Sequence, residues 1–290
     1  MSTTETLTST QIRSSGDRPA ARLSTRFLRS ELLLIFGRRR NQAGLLVLAL
    51  VPIAIAIAVK VAAPGGGGPD FLNLITLNGL FVAFAALAVE ITMFLPLAVA
   101  MLAGDAVAGE AHLGTLRYLL TVPVNRTRLL LVKYLSLCIG SAIAVLMVAV
   151  VGSVVGGILF GVGPMLTLSG TEIGFGTAIV RLALAVLYLT AGLCALAAVG
   201  LFLSTLTEQP IAVTIAVMIF VILCTIAITV PQLSWLHPWL LTDHFGAVAD
   251  VLREPIAWSA MLKGYGLDAV YALVFWLAAW ARFTTKDITN

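Results

Sequence analysis

Two ionisable residues fall deep in apolar sequence: Glu90, inside LFVAFAALAVEITMFLPLAVAMLA (80–103), and Lys60, near the end of VPIAIAIAVKVA (51–62). An ionised carboxylate in hydrocarbon is costly, and where one occurs it faces a partner or a polar path. At about 1.5 Å of rise per residue, Glu90 stands about 20 Å from Ala103 and Lys60 about 27 Å from Gln42, on neighbouring stretches. Three kinds of chemistry fit. Glu90 is a polar contact on a route taken by cationic or hydrogen-bonding ligands, or it forms a buried ion pair with Lys60, or it is a protonated acid bonded to an adjacent helix.

The other chemistry-bearing residues are weaker in type or spacing. His237, Asp243 and His244 lie close together, and imidazole with carboxylate can hold a metal. No helical i, i+4 pair fixes them, so they read as solvated residues and no metal site is assigned. Cys138, Cys194 and Cys224 fall in apolar stretches with neither a disulfide nor a metal-ligand spacing, and read as small packing residues. Between Gly109 and Leu116 two glycines have the spacing of a phosphate-binding loop, but Thr115 stands where that loop needs a lysine for the β and γ phosphates. No serine, cysteine or carboxylate pair has catalytic spacing. The chain reads as non-catalytic, with no cofactor of its own.

The elements that must hold these residues follow from composition. Of 290 residues, 60% are apolar and 11% charged, with a mean hydropathy of +1.03; a soluble domain carries about 25% charge. A helix crosses the hydrocarbon with about 20 apolar residues, and six stretches supply them: 42–62, 79–103, 131–160, 178–203, 211–231 and 264–282. The expected fold class is an all-α membrane protein with six transmembrane helices.

Basic residues orient it. One side collects Arg13, Arg18, Arg22, Arg26, Arg29, Arg38, Arg39, Arg40, Arg117, Arg126, Arg128, Lys133, Arg282 and Lys286, fourteen of the eighteen lysines and arginines. The other has Lys60, Arg181, Arg253 and Lys263. Both termini are therefore expected in the cytoplasm, with the protein in the cell membrane. The pI near 9.2 is a topology signal, and nucleic acid is not an expected partner.

Residues 1–21 are rich in serine and threonine and are expected to be a disordered cytoplasmic tail. Over 22–40, Arg22, Arg26 and Arg29 share one face, with Leu23, Phe27, Leu28, Leu34 and Ile35 opposite, the pattern of an interfacial amphipathic helix on the lipid bilayer. The outer segment 231–263 is interrupted by Pro231, Pro238 and Pro255 and carries Trp235, Trp239 and Trp258, suited to short helices at headgroup level. Two pairs of glycines, Gly152/Gly156 and Gly157/Gly161, allow helices to approach closely, within the chain or between two copies.

The most patterned polar sequence lies mid-chain: AGDAVAGEAHLGTLRYLLTVPVNRTRLLLVKYL (103–135). Asp105 and Glu110 come early, where a helix N-terminus favours negative charge. Leu113, Leu116 and Leu120 form a narrow apolar stripe; Pro123 disfavours helix at Val122. Asn125 can cap the next helix, which carries Arg126, Arg128 and Lys133 at the membrane edge. The pattern predicts a short amphipathic helix across the cytoplasmic mouth of a helical hairpin, with a stripe that needs a partner from outside the chain.

This stretch resembles the signature of type-two ABC exporter permeases, in which Glu, Gly-Thr, Leu-Leu, Pro-Val and Arg recur between the second and third spans. Here they fall on Glu110, Gly114, Thr115, Leu119, Leu120, Pro123, Val124 and Arg126. STLTEQPIAV (204–213) is similar to that family's loop before span five, LHP (236–238) to its outer proline motif, and FTTKDI (283–288) to its C-terminal ending. The resemblance runs from about residue 22 onward. It departs at 204–210, which carries Glu208 and no basic residue.

The resemblance implies a permease domain over 22–290 and a cytoplasmic coupling helix between helices 2 and 3, in the region 105–128. Leu113, Leu116, Leu119 and Leu120 would rest in a groove on a separate ABC ATPase subunit. Two copies of that ATPase, carrying ATP and Mg2+, and a second permease copy or a paralogous permease would complete an exporter of an amphipathic small molecule such as a drug or natural product. ATP drives such a machine only if the coupling helix meets a different surface in each of two global states. An ATP-independent secondary transporter or channel, or a membrane scaffold subunit, is the alternative. The chain shows no internal sequence repeat, which weakens an inverted-repeat transporter.

Overall fold

The computed structural model describes residues 25–62, 78–112, 114 and 126–285. The expected tail over 1–21 and all of the 105–128 region's apolar stripe lie outside the described residues. Along the chain run α1 (Thr25–Gly37), α2 (Arg39–Ala62), α3 (Leu80–Glu90), α4 (Phe94–Ala106), α5 (Ala108–His112) and α6 (Arg126–Phe160). They are followed by α7 (Phe175–Leu206), α8 (Pro210–Thr229), α9 (Leu241–Phe245) and α10 (Trp258–Thr285). Among the described residues, α2, α6, α7, α8 and α10 are each long and apolar enough to cross a membrane, and α3 with α4 makes a sixth where the bent pair counts as one span. Apart from a two-residue antiparallel ladder, Met165–Leu166 with Glu172–Ile173, the regular structure is helical. The chain is an all-α, multi-pass membrane protein.

The second crossing differs from the single helix expected over 79–103. α3 and α4 meet at 57° across a short break. Pro96, in the first turn of α4, gives the reason: it has no N–H for the Thr92 carbonyl, and its ring crowds that carbonyl. The Leu97 N–H reaches the Met93 carbonyl at 3.0 Å and restarts the ladder beyond the break. Pro52 sits inside α2 with the helix intact around it, so proline alone does not force the break.

α7 is the central post. Of its apolar stretch 61% is buried, against 22% for α2, α8 and α10, and it packs on α10, α6, α4 and α8. Each residue of α3 from Leu80 to Leu87 is buried, Ala88 and Val89 near its end are exposed, and the helix packs chiefly on α6. That crossing depends on glycine. A methyl on Gly152 would stand 2.7 Å from the Cα of Ala83, and one on Gly156 would overlap the Gly79 backbone. The Gly152/Gly156 pair is thus used inside the chain and is not free to face a second copy.

The helix ends gather into two layers. At one end, Arg40 reaches the Met101 carbonyl, Ser204 meets Val107, and Arg126 meets Thr284. At the other, Lys60 meets Leu159, Asn78 meets Gly163, and Leu168 pairs with Leu252. The 231–263 segment lies at this second end as 3-10 turns (Pro231–Leu233, His237–Trp239, Gly246–Leu252) and the short α9, with α10 starting at Trp258. Trp235, Trp239 and Trp258 are exposed there, while Phe245 is buried.

Candidate functional site

The connection leaving α4 is fastened at its root from several directions. Asp105 forms ion pairs with Arg40 at 2.6 Å and with Arg38 at 3.0 Å, at the junction of α1 and α2. The Ser204 hydroxyl at the end of α7 accepts the N–H groups of Val107 and Ala108 at 3.2 and 2.9 Å. These are donors that the start of α5 cannot satisfy within its own helix. Glu110 then meets Lys133 of α6, whose ammonium donates to Oε1 at 2.6 Å and lies 3.5 Å from a carboxylate oxygen of Glu31 in α1.

Lys133 is 1% exposed: near the start of α6 it is the buried centre of a Glu31–Lys133–Glu110 triad. Taking an ammonium out of water costs several kcal/mol, and the two carboxylates offset that cost. Burial pushes the Glu110 carboxyl above the ordinary value of 4.5, against the pull of the Lys133 ammonium. α6 has 35 residues, about 52 Å of helix against a hydrocarbon core of about 30 Å. Its first turns, with Arg126, Arg128 and Lys133, therefore extend past the apolar zone as a stiff rod. Arg126 donates to the Thr284 carbonyl at 3.1 Å, and the Trp280 indole to Thr127 at 2.8 Å, tying this rod to the end of α10.

Of the ten residues singled out for coupling, Glu110, Gly114 and Arg126 are described. Leu113, Thr115, Leu116, Leu119, Leu120, Pro123 and Val124 lie outside the described residues. In the described part of the 105–128 region, α5 ends at His112, and Gly114 has φ +68°, a conformation that favours glycine.

Glu90 and Lys60 are not brought together. Lys60 donates to the Leu159 carbonyl at 2.9 Å and stands over the Phe160 ring, so the expected ion pair is not formed. Glu90 is fully buried, and neither of its carboxyl oxygens has a hydrogen-bond partner among the described residues. A cavity beside the bend is lined by Ala88, Ile91 and Thr92 with Thr225 and Thr242, on the face of α3 turned away from Glu90. Sequence reasoning passes over a second such acid. Asp268 in α10 is 6% exposed with an unpartnered oxygen, and the criterion that selects Glu90, a carboxylate inside an apolar span, selects it too.

At the far end, Arg181 of α7 is buried and anchors the 246–254 segment. It donates to the Val251 and Arg253 carbonyls at 3.1 and 2.9 Å and pairs with Glu254. His237 and His244 each lie against a backbone carbonyl, of Ala227 and Leu240. Among the described residues no group of three potential metal ligands converges.

What the fastened root can do is mechanical: hold one connection to the helices on either side of it. No curated protein matches the chain. From residue 69 to residue 289 it matches, and so belongs to, the family described as "Protein of unknown function (DUF2705)".

Proposed function

We propose that this chain is the membrane-spanning permease subunit of an ATP-driven exporter of the type-two ABC class. Its partners are two ATPase subunits that carry ATP and Mg2+, and a second permease, identical or paralogous. The 105–128 connection faces the cytoplasm with both termini, as the excess of basic residues on that side supports. It takes force from the ATPase and moves the second and third crossings. The cargo is an amphipathic small molecule, in keeping with spans that offer few polar groups.

The observation that carries this reading is the fastened root. A connection that merely closed a hairpin needs no buried ion triad, yet here Asp105 is bound to Arg40, Val107 and Ala108 to Ser204, and Glu110 to Lys133. Force delivered to residues 105–110 would pass into the helices that hold them, α4, α6 and α7. The test is affinity purification of the chain with its candidate ABC ATPase. Leu116→Asp and Leu120→Asp should abolish co-purification while leaving the chain in the membrane; retention of the ATPase by both variants would refute the proposal.

One observation favours an ATP-independent carrier as a second reading: Glu90 and Asp268 are buried acids with unpartnered oxygens inside spans, the kind of group that carries protons in membrane transporters. Proton flux by the purified chain alone in vesicles would select that reading.

A further inference from the structure

At the far end of the bundle a cleft of about 340 Å³ opens between two walls of opposite charge. One wall is α9 with the 3-10 turn that follows it, and brings Asp243, His244 and Asp250. The other is the start of α10, where Ser259 and Lys263, four positions apart, share a helix face. The acidic wall is held in place: the Tyr188 hydroxyl of α7 donates to the His244 carbonyl at 2.7 Å. The His244 ring has Nδ1 3.4 Å from the Leu240 carbonyl, and the tautomer that donates there leaves Nε2 as an acceptor. Among the described residues, three of the four cations at this end are used within the chain. Arg181 pairs with Glu254, Arg253 pairs with Asp250 at 3.0 Å, and Lys60 donates to the Leu159 carbonyl. Lys263 has no such bond and neither has the Asp243 carboxylate, although the two line one cleft.

We propose that this cleft binds a small zwitterion, its ammonium against Asp243 and His244 Nε2 and its phosphate or carboxylate against Lys263 and the Ser259 hydroxyl. A carboxylate and an ammonium held apart across one gap are both satisfied by a molecule that carries both signs, and each end then gains a charge-assisted hydrogen bond. A ligand with one charge satisfies one wall and leaves the other facing it unpaired. Asp250, shared with Arg253, adds to the negative wall. Two sources carry this chemistry, the headgroup of phosphatidylethanolamine and a free amino acid. Trp258, exposed beside Ser259, is of the type that sits at headgroup level, so the cleft is within reach of both. The site does not depend on the transport reading.

The test uses the full chain in uncharged maltoside micelles, titrated in a calorimeter with two zwitterions, glycerophosphoethanolamine and 4-aminobutyrate. Ethanolamine and butyrate, which carry one charge each, are the controls. At least one zwitterion should bind about tenfold or more tightly than either control. Asp243→Asn and Lys263→Gln should each weaken it by about the same factor. The charge exchange Asp243→Lys with Lys263→Asp should restore it, since the ligand can turn round. Titration in nanodiscs then separates the sources. Phosphatidylethanolamine, and not phosphatidylglycerol, should block a headgroup site, whereas a site for a free amino acid binds 4-aminobutyrate equally in both. Absence of binding by both zwitterions, a single-charge control that binds as tightly, or wild-type affinity in both single variants overturns the proposal.

Discussion

Lys133 and Glu110 are separated by 23 positions in the chain and by 2.6 Å in space. Their bond closes the connection between the second and third crossings at its base, and Glu31 brings α1 to the same ammonium. Lys133→Met would leave two buried carboxylates facing an apolar side chain. Removing one partner from a buried charge cluster costs about 3–5 kcal/mol, and a loss of that size is expected in detergent unfolding of the variant. Glu110→Gln should lose less, because the amide oxygen still accepts from Lys133. Equal losses in the two variants would contradict the triad.

The pH dependence follows from the burial of Glu110. Its folded-state value is raised, so the folded state holds its proton more tightly than the unfolded chain. The stability from this group is fully present below about 4.5 and is lost as pH rises through the raised folded value. A Tm–pH profile of the wild type should therefore fall more steeply above pH 4.5 than that of Glu110→Gln. Parallel profiles would show that Glu110 does not contribute.

At the α3–α6 crossing, Gly156→Val should destabilise the chain strongly, by about 3 kcal/mol or more, as forced overpacking of a close contact does. Gly157→Ala should cost far less, since a methyl there meets only the Val162 side chain, at an ordinary 3.4 Å. Oligomeric state, read by cross-linking, should be the same in both variants. A Gly156 variant that folds normally but loses self-association would place that glycine at an interface between copies instead.

Glu90→Met replaces an enclosed, unpartnered carboxyl by an apolar side chain of similar length. Burying a polar group without a hydrogen bond costs about 1–3 kcal/mol in proteins, so a gain of that order in unfolding free energy is expected. A loss would mean that the carboxyl has a partner in the working protein, as a group on a ligand path would.

The spans were legible because a long apolar run has few alternatives in lipid: α2, α6, α7, α8 and α10 each cover their expected stretch to within a few residues. The α3–α4 bend had a visible signal in Pro96, but Pro52 carries the same signal without a bend, so the difference lies in tertiary packing. The pairing of Lys133 with Glu110 and Glu31 was not legible. Those residues come from three separate elements, and their charges had a ready reading as a solvated rim. Glu110 itself was singled out through its motif; Ser204 opens the 204–213 motif, which gives no sign of its contact with Val107 and Ala108, and Glu31 has no motif to mark it. Asp268 was readable and missed, since one acid in a long apolar stretch hardly lowers its hydropathy.

The bend at residues 91–93 divides the second crossing into two rods of unequal freedom. α3 is walled in from Leu80 to Leu87, while α4 lies beyond a three-residue joint and touches α8 closely where Gly104 meets the Pro210 carbonyl. On the proposed function, a load arriving at Asp105 would tilt α4 about a joint near Met93 together with the α7 and α8 it packs on, and the walled-in α3 would follow less.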